Sequence, residues 1–135
     1  MTHVVRLPAP DGMAPATGYS HVAWGTGRLI AVSGQVALDE HGELVGPGDP
    51  AAQARQVFEN LRRCLAAAGA SFADVVKLGY FVVDAAHMPA VRAARDEFID
   101  AAQLPASTAV QVAALVAPEF LLEIEAWAVV APERA

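Results

Sequence analysis

The segment between residues 49 and 69 has the complete pattern of an amphipathic α-helix. Asp49 is a favourable N-cap, and Pro50 suits the first helical position, where its missing N–H costs no hydrogen bond. Gly69 offers the C-cap at the other end. Between these ends, apolar residues recur at helical spacing at Ala54, Val57, Phe58, Leu61, Leu65 and Ala68. The pattern predicts a helix with one face in the core.

Strand-like segments precede and follow this helix, with no linker or repeat between them. A short apolar run at 29–33 follows Gly25-Thr26-Gly27, which predicts a hairpin between residues 20–24 and 29–33. Residues 75–83 are dense in β-branched and aromatic side chains, which predicts a largely buried strand. Two further strands are predicted at about 108–114 and 120–130.

Pro89 opens a second predicted helix. Its apolar face comprises Val91, Ala94, Phe98 and Ala102, whereas its polar residues Arg92, Arg95, Asp96 and Asp100 lie elsewhere on its surface. Strands grouped around two helices indicate an α+β fold in which both helices cover one face of a mixed sheet. The length of 135 residues fits a single domain, residues 1–135.

The composition is apolar for a chain of this size. Hydrophobic residues make up 55% of the chain and charged residues 18%, and a small monomer has little interior in which to bury such a proportion. A homo-oligomer with a large apolar interface would account for the excess. There is no apolar run long enough for a membrane span, and residues 1–8 do not resemble a signal peptide. We therefore expect a cytoplasmic protein.

Cysteine and histidine usage argues against a metal site. Cys64 is the only cysteine, which excludes an intrachain disulfide and a cysteine-rich zinc site, and it lies in an apolar helical stripe where a buried small hydrophobe is expected. The histidines are scattered at His3, His21, His41 and His87, without the spacing of a metallohydrolase. We expect no metal and no cofactor.

Eight short segments follow one another in order along the chain and cover nearly all of it. They are Gly18-Tyr19-Ser20-His21, Val32-Ser33-Gly34-Gln35-Val36, Gln53-Ala54-Arg55-Gln56-Val57, Glu59-Asn60-Leu61, Ala67-Ala68-Gly69-Ala70, Asp74-Val75-Val76-Lys77, Pro105-Ala106-Ser107-Thr108 and Leu122-Glu123-Ile124-Glu125-Ala126. Together these segments resemble the pattern of the Rid family, also called the YjgF or reactive-intermediate deaminase family. The resemblance implies a chorismate-mutase-like fold that forms a homotrimer, with three clefts between neighbouring subunits.

The resemblance also implies roles for particular residues in such a cleft. Glu123 matches the glutamate that positions water in the deaminating members, Tyr19 matches a tyrosine that closes the pocket, and Ser33 and Gly34 match a turn that contributes polar backbone groups. The family's strand carries an arginine that clamps a substrate carboxylate. Ser107 stands in its place, and Ala109 stands where many members have cysteine.

Several of these residues can also be interpreted without the family. Strand alternation places Glu123, Glu125 and Trp127 on one face, where the two glutamates are either paired or solvated, or one of them serves a pocket. Trp127, like Trp24, is expected to be a packing residue. On the second helix, Arg92 or the neighbouring Arg95 could restore the missing positive charge. Alternatively, Arg92 forms an ordinary i, i+4 ion pair with Asp96.

Three functions remain open from the sequence. The first is a deaminase-like hydrolase that acts on an imine, an enamine or a related reactive metabolite, with weak or absent activity on the usual 2-imino acids. The second is a non-catalytic trimer that binds a small molecule or a partner protein. The third, a ribonuclease, is opposed by the net charge of −6, because phosphate binding needs clustered Lys and Arg. We expect no nucleic-acid partner and no membrane partner.

Overall fold

The computed structural model describes residues 3–132. The strands are β1 (Val4–Leu7), β2 (Val22–Gly25), β3 (Arg28–Gln35), β4 (Val75–Val82), β5 (Ala106–Gln111) and β6 (Leu122–Val130). The helices are α1 (Pro50–Ala67) and α2 (Met88–Asp96). No helix within the described residues is long and apolar enough to cross a membrane.

A four-stranded mixed sheet forms the centre of the fold, with the strand order β3-β6-β4-β5. β6 is antiparallel to both of its neighbours, whereas β4 and β5 are parallel. β5 is consequently an edge strand, and β1 and β2 form a separate two-stranded sheet. The α+β architecture predicted from the sequence is confirmed.

The core lies between the helices and one face of this sheet. Leu122, Ile124 and Ala126 of β6 are fully buried, as strand alternation predicted. They share one apolar cluster with Phe58 of α1 and Val91 of α2, so both helices cover the same face. The opposite face, which carries Glu123, Glu125 and Trp127, is called the open face below.

The helix predicted between residues 49 and 69 is confirmed, including its ends. The Asp49 side chain accepts a hydrogen bond from the backbone N–H of Ala52 at 3.1 Å, and Pro50 is the first helical residue. Gly69, with φ of +78°, follows the last turn in the left-handed conformation that glycine adopts most easily. Cys64 is half-buried against the core rather than fully buried.

Two predictions about elements are wrong. The expected hairpin between residues 20–24 and 29–33 does not form, because β2 pairs with β1 while β3 pairs with β6. The second helix is shorter than predicted, since α2 ends at Asp96 and Asp100 caps a new turn by accepting from the N–H of Ala102. Ala102 is therefore exposed, although Phe98 still stacks on Phe58 at a centroid separation of 5.7 Å.

Candidate functional site

Tyr19 lies in a loop that is fastened to the start of β5. The buried Ser20 donates its hydroxyl to the carbonyl of Leu104 at 2.7 Å, and its backbone N–H bonds to the carbonyl of Pro105 at 3.0 Å. These bonds continue the sheet for one residue beyond β5, where Ser20 is bridged to Ala106. Tyr19 is thus held beside the strand that carries Ser107.

Arg95 fastens the same loop from the other side. It is only 7% exposed, and its Nη1 donates to the carbonyl of Gly18 at 2.7 Å. Gly18 has φ of +80°, a left-handed conformation that glycine adopts most easily. Arg95 therefore helps to position Tyr19, and its guanidinium is already engaged.

The expected ion pair between Arg92 and Asp96 does not form. Asp96 instead accepts two hydrogen bonds from its chain neighbour Arg95, at 3.1 and 2.9 Å from Nε and Nη2. Burial explains the preference, because a buried guanidinium needs a charged partner more than an exposed one does. Arg92 is exposed and keeps its charge available.

A cavity of about 150 Å³, here called the Arg92 cavity, lies between the Tyr19 loop, α2 and β5. It brings together four of the seven expected site residues, namely Tyr19, Arg92, Ser107 and Ala109, and it is also lined by Arg95, the alternative source of the missing charge. Ser107 and Ala109 point to the helix-covered side of the sheet because they are in register with Leu78 and Tyr80 of β4. Their small side chains leave the space that the cavity occupies.

Tyr80 is a cavity residue that the sequence did not single out. It is 3% exposed, and burial raises the pKa of its hydroxyl to about 12, although Arg95 and Arg92 act in the opposite direction. The hydroxyl is therefore protonated at neutral pH and can donate a hydrogen bond. An aromatic residue in a buried strand is usually core, so its sequence context offered no signal of this position.

Ser33, Gly34 and Glu123 form a second group at a β-bulge. Val32 is in register with Ala126 and Gln35 with Ile124, so two residues of β3, Ser33 and Gly34, lie opposite the single residue Glu125 of β6. Both Ser33 and Gly34 are exposed there. A bulge bends the strand and redirects its side chains, and bulges are common beside functional sites.

Glu123 lies directly against Gly34. A Cβ on Gly34 would be 2.6 Å from Cδ of Glu123, so a larger residue would collide with the carboxylate group. Within residues 3–132, Glu123 forms no hydrogen bond or ion pair. A half-buried carboxylate in this state can accept a hydrogen bond from water and take a proton from it.

The Arg92 cavity and Glu123 lie on opposite faces of the sheet. Glu123 is in register with Phe81 of β4, while the next residue along, Tyr80, is in register with Ala109 and lines the Arg92 cavity. Successive side chains of a strand point to opposite faces, so Glu123 points away from this cavity. A single chain does not join the seven candidate residues into one site.

Among the described residues, no three or more His, Cys, Asp or Glu side chains are grouped closely enough to hold a metal ion. The arrangement instead offers a carboxylate on one face and a cation with several hydroxyls on the other. These groups suit acid–base chemistry on a small polar molecule.

The family model described as Endoribonuclease L-PSP matches residues 10–130. The chain is similar to the 3-aminoacrylate deaminase RutC of Acinetobacter baylyi, with 36% identity over 85% of this chain and 90% of that protein. It is also similar to the rat 2-iminobutanoate/2-iminopropanoate deaminase, with 36% identity over 98% of this chain and 96% of that protein.

Solved structures agree with these sequence matches. The Rid-family protein YyfB of Yersinia pestis superimposes with a TM-score of 0.86 at 40% identity, covering 95% of this chain and 99% of its own. RidA of an Antarctic Psychrobacter species superimposes with a TM-score of 0.70 at 33% identity, covering 96% and 100%.

Proposed function

Since the chain belongs to the Endoribonuclease L-PSP family, to which the Rid proteins belong, we propose that it is a homotrimeric deaminase-like hydrolase of imines or enamines. In this proposal the active site lies between subunits. Glu123, Ser33 and Gly34 of one subunit face the Arg92 cavity of its neighbour. The proposed ligand is a small molecule, and no cofactor, metal, membrane or nucleic acid is required.

The observation that carries this proposal is that Glu123 and the Arg92 cavity lie on opposite faces of the sheet. Glu123 lies on the open face, and the Arg92 cavity opens beside β5, an edge strand. A cyclic trimer repeats one heterologous contact between unlike surfaces of neighbouring subunits. Such a contact can set the edge of one subunit against the open face of the next, which would complete three equivalent sites.

The proposed reaction is the hydrolysis of a carbon–nitrogen double bond. The Glu123 carboxylate orients a water molecule and accepts its proton as the water oxygen attacks the imine carbon. Glu123 returns this proton to the nitrogen, which gives a neutral tetrahedral carbinolamine. The hydroxyl proton of the carbinolamine then passes to the nitrogen, so that ammonia leaves, a carbonyl forms and the Glu123 carboxylate is regenerated. One water is consumed for each imine, and an enamine reacts after tautomerising to its imine.

The exchange of the family's strand arginine for Ser107 bears on the substrate. The two named relatives act on 3-aminoacrylate and on 2-iminobutanoate or 2-iminopropanoate. A guanidinium that holds a carboxylate in two parallel hydrogen bonds supplies much of the orientation that such small acids need. We therefore propose that this chain acts weakly on the usual 2-imino acids and prefers another imine or enamine.

Nucleic-acid cleavage, the activity in the family's description, is less well supported. The net charge of −6 opposes phosphate binding. The only lysine, Lys77, bonds to Thr108, and Arg55, Arg62 and Arg63 pair with glutamates.

The variant Glu123→Gln tests the proposed chemistry. The amide keeps the shape of the side chain but cannot accept a proton, so we expect turnover to fall by about 100- to 10,000-fold. Ammonia release would be measured above the uncatalysed rate on a panel of imines and enamines that includes 2-iminobutanoate and 3-aminoacrylate. The variant should sediment at the same mass as the unaltered protein.

Glu125→Gln is the matched control, because it removes the neighbouring carboxylate of the same strand face. If both variants retain full turnover, or if the unaltered protein releases no ammonia from any member of the panel, the proposed reaction is wrong. Ligand binding without turnover would favour the non-catalytic binding protein.

A further inference from the structure

Arg92 differs from the other arginines of residues 3–132 in its lack of a partner. Arg55, Arg62, Arg63 and Arg95 form ion pairs with carboxylates, and Arg6 and Arg28 donate to backbone carbonyls. Arg92 forms no hydrogen bond or ion pair with the described residues. Its position one turn from Asp96 would allow a pair, but Arg95 occupies that carboxylate.

The free guanidinium stands where two cavities adjoin. Met88, Arg92 and Ala109 line both the Arg92 cavity and a second cavity of about 410 Å³. The second cavity is mainly apolar, with walls that include Val82, Ala86 and Pro89. A ligand at Arg92 therefore has a polar compartment on one side and an apolar compartment on the other.

The charge of these walls is opposite to that of the whole chain. The protein carries 15 Asp and Glu residues against nine Lys and Arg, yet none of the described acidic residues lines either cavity. Arg92 and Arg95 both line the Arg92 cavity, and Arg95 is neutralised by Asp96. The uncompensated positive charge of Arg92 remains, together with the hydroxyls of Tyr19, Tyr80 and Ser107.

We propose that Arg92 anchors the anionic group of the ligand, and that an apolar part of the same ligand occupies the second cavity. This inference rests on the proposed function and names its substrate class, an imine or enamine that carries a carboxylate and an apolar chain longer than those of 2-iminobutanoate and 2-iminopropanoate, so that the chain reaches the second cavity. Arg92 is then a specificity-determining residue, and the anchor is a helix side chain rather than a strand side chain.

The physical basis is the geometry of the guanidinium. Its planar fork can hold a carboxylate through two parallel hydrogen bonds, and the hydroxyls around the cavity can donate to the remaining lone pairs. Because Arg92 has no ion pair with the described residues, a ligand carboxylate can bind it without displacing a carboxylate of the protein. The apolar walls add affinity for each methylene group that leaves water.

Binding of hexanoate, hexanamide and acetate, measured by calorimetry or ligand-observed NMR, tests the inference without any need for turnover. We expect the unaltered protein to bind hexanoate more tightly than both acetate and hexanamide. Arg92→Gln should weaken hexanoate binding by about tenfold or more, the usual value of a charge-assisted hydrogen bond, and leave hexanamide binding unchanged. Arg92→Lys should retain part of the hexanoate affinity.

Arg62→Gln is the matched control, since it removes the same charge from an exposed helix position outside both cavities, and it should bind hexanoate like the unaltered protein. Equal hexanoate affinity in Arg92→Gln and the unaltered protein would overturn the inference. So would an unaltered protein that does not prefer hexanoate to hexanamide, including one that binds neither. Loss of hexanoate binding in Arg92→Gln with full turnover in Glu123→Gln would leave the anchor in place and reject the proposed reaction.

Discussion

Two glycines, one on each of the strands that flank β6, make room for the two glutamates of β6. Gly34 of β3 lies under Glu123, and Gly79 of β4 lies under Glu125, where a Cβ would be 2.9 Å from the glutamate Cγ. Neither glycine has a positive φ, so close approach rather than backbone conformation is what each site requires. At the scale of single residues, Glu123 depends on Gly34 for its position.

Gly34→Ala should therefore displace the Glu123 carboxylate without unfolding the protein, because the colliding atoms are the end of a flexible side chain. We expect turnover to fall by about 100-fold, since small misplacements of reacting groups have effects of that size. Gly79→Ala introduces the same methyl group under Glu125 and should leave turnover close to normal. Steady-state kinetics with both variants would check this, and equal losses would refute a special role for Glu123.

The elements of the fold were more predictable from sequence than their pairing. The Asp49 cap and the 3.6-residue period place α1, and period-two alternation gives the buried side of β6, because both signals are local. The hairpin prediction failed since Gly25-Thr26-Gly27 permits a turn without specifying which strands it joins. A Cβ on Gly27 would lie 1.9 Å from the Val130 carbonyl, so this glycine serves contact with β6.

The candidate site was predictable only in part for the same reason. Motifs identified Tyr19, Glu123 and the positions of Ser107 and Ala109, whereas the supports of Tyr19 depend on long-range contacts. Ser20 bonds to a carbonyl 84 positions away, and Arg95 to one 77 positions away. Side-chain partners at such separations leave no periodic signal.

Because Tyr80 of β4 is buried beneath α2, the stability of the folded protein depends on pH in the alkaline range. The folded state holds the pKa of the hydroxyl at about 12, above the ordinary value of 10.0. Between these values the unfolded chain loses the phenolic proton while the folded chain keeps it, so stability falls as pH rises from about 10 to 12. Below pH 9 the hydroxyl is protonated in both states and has no such effect.

Comparison with Tyr80→Phe isolates this contribution. Between pH 8 and pH 11 the unaltered protein should lose about 1.4 kcal/mol of unfolding free energy more than the variant does. Urea unfolding at a fixed protein concentration would measure the difference, since oligomer stability depends on concentration. Parallel pH profiles for the two proteins would mean that Tyr80 does not retain its proton as described.

At the scale of the whole molecule, the open face is too apolar for an isolated chain. Leu29, Val110 and Trp127 are 64%, 42% and 40% exposed on this face, and Trp24 of β2 is 48% exposed. The expectation that both tryptophans pack is not met within one chain. Apolar side chains exposed together typically mark an interface, which fits the trimer in which we propose that neighbouring subunits complete each site.

Mixed trimers test most directly the claim that neighbouring subunits complete each active site. Glu123→Gln disables one half of the proposed site, and Ala109→Phe fills the Arg92 cavity of the other half. Each variant alone should be almost inactive. If the halves come from neighbouring subunits, random co-assembly at equal amounts leaves about one site in four with both halves intact, which gives about a quarter of normal turnover.

The variants would be unfolded and refolded together, and differently tagged subunits would confirm that they mix. Recovery of about a quarter of the normal ammonia release is the result that the shared site predicts. Turnover no greater than the sum of the two separate variants, in trimers shown to be mixed, would contradict a site built between subunits.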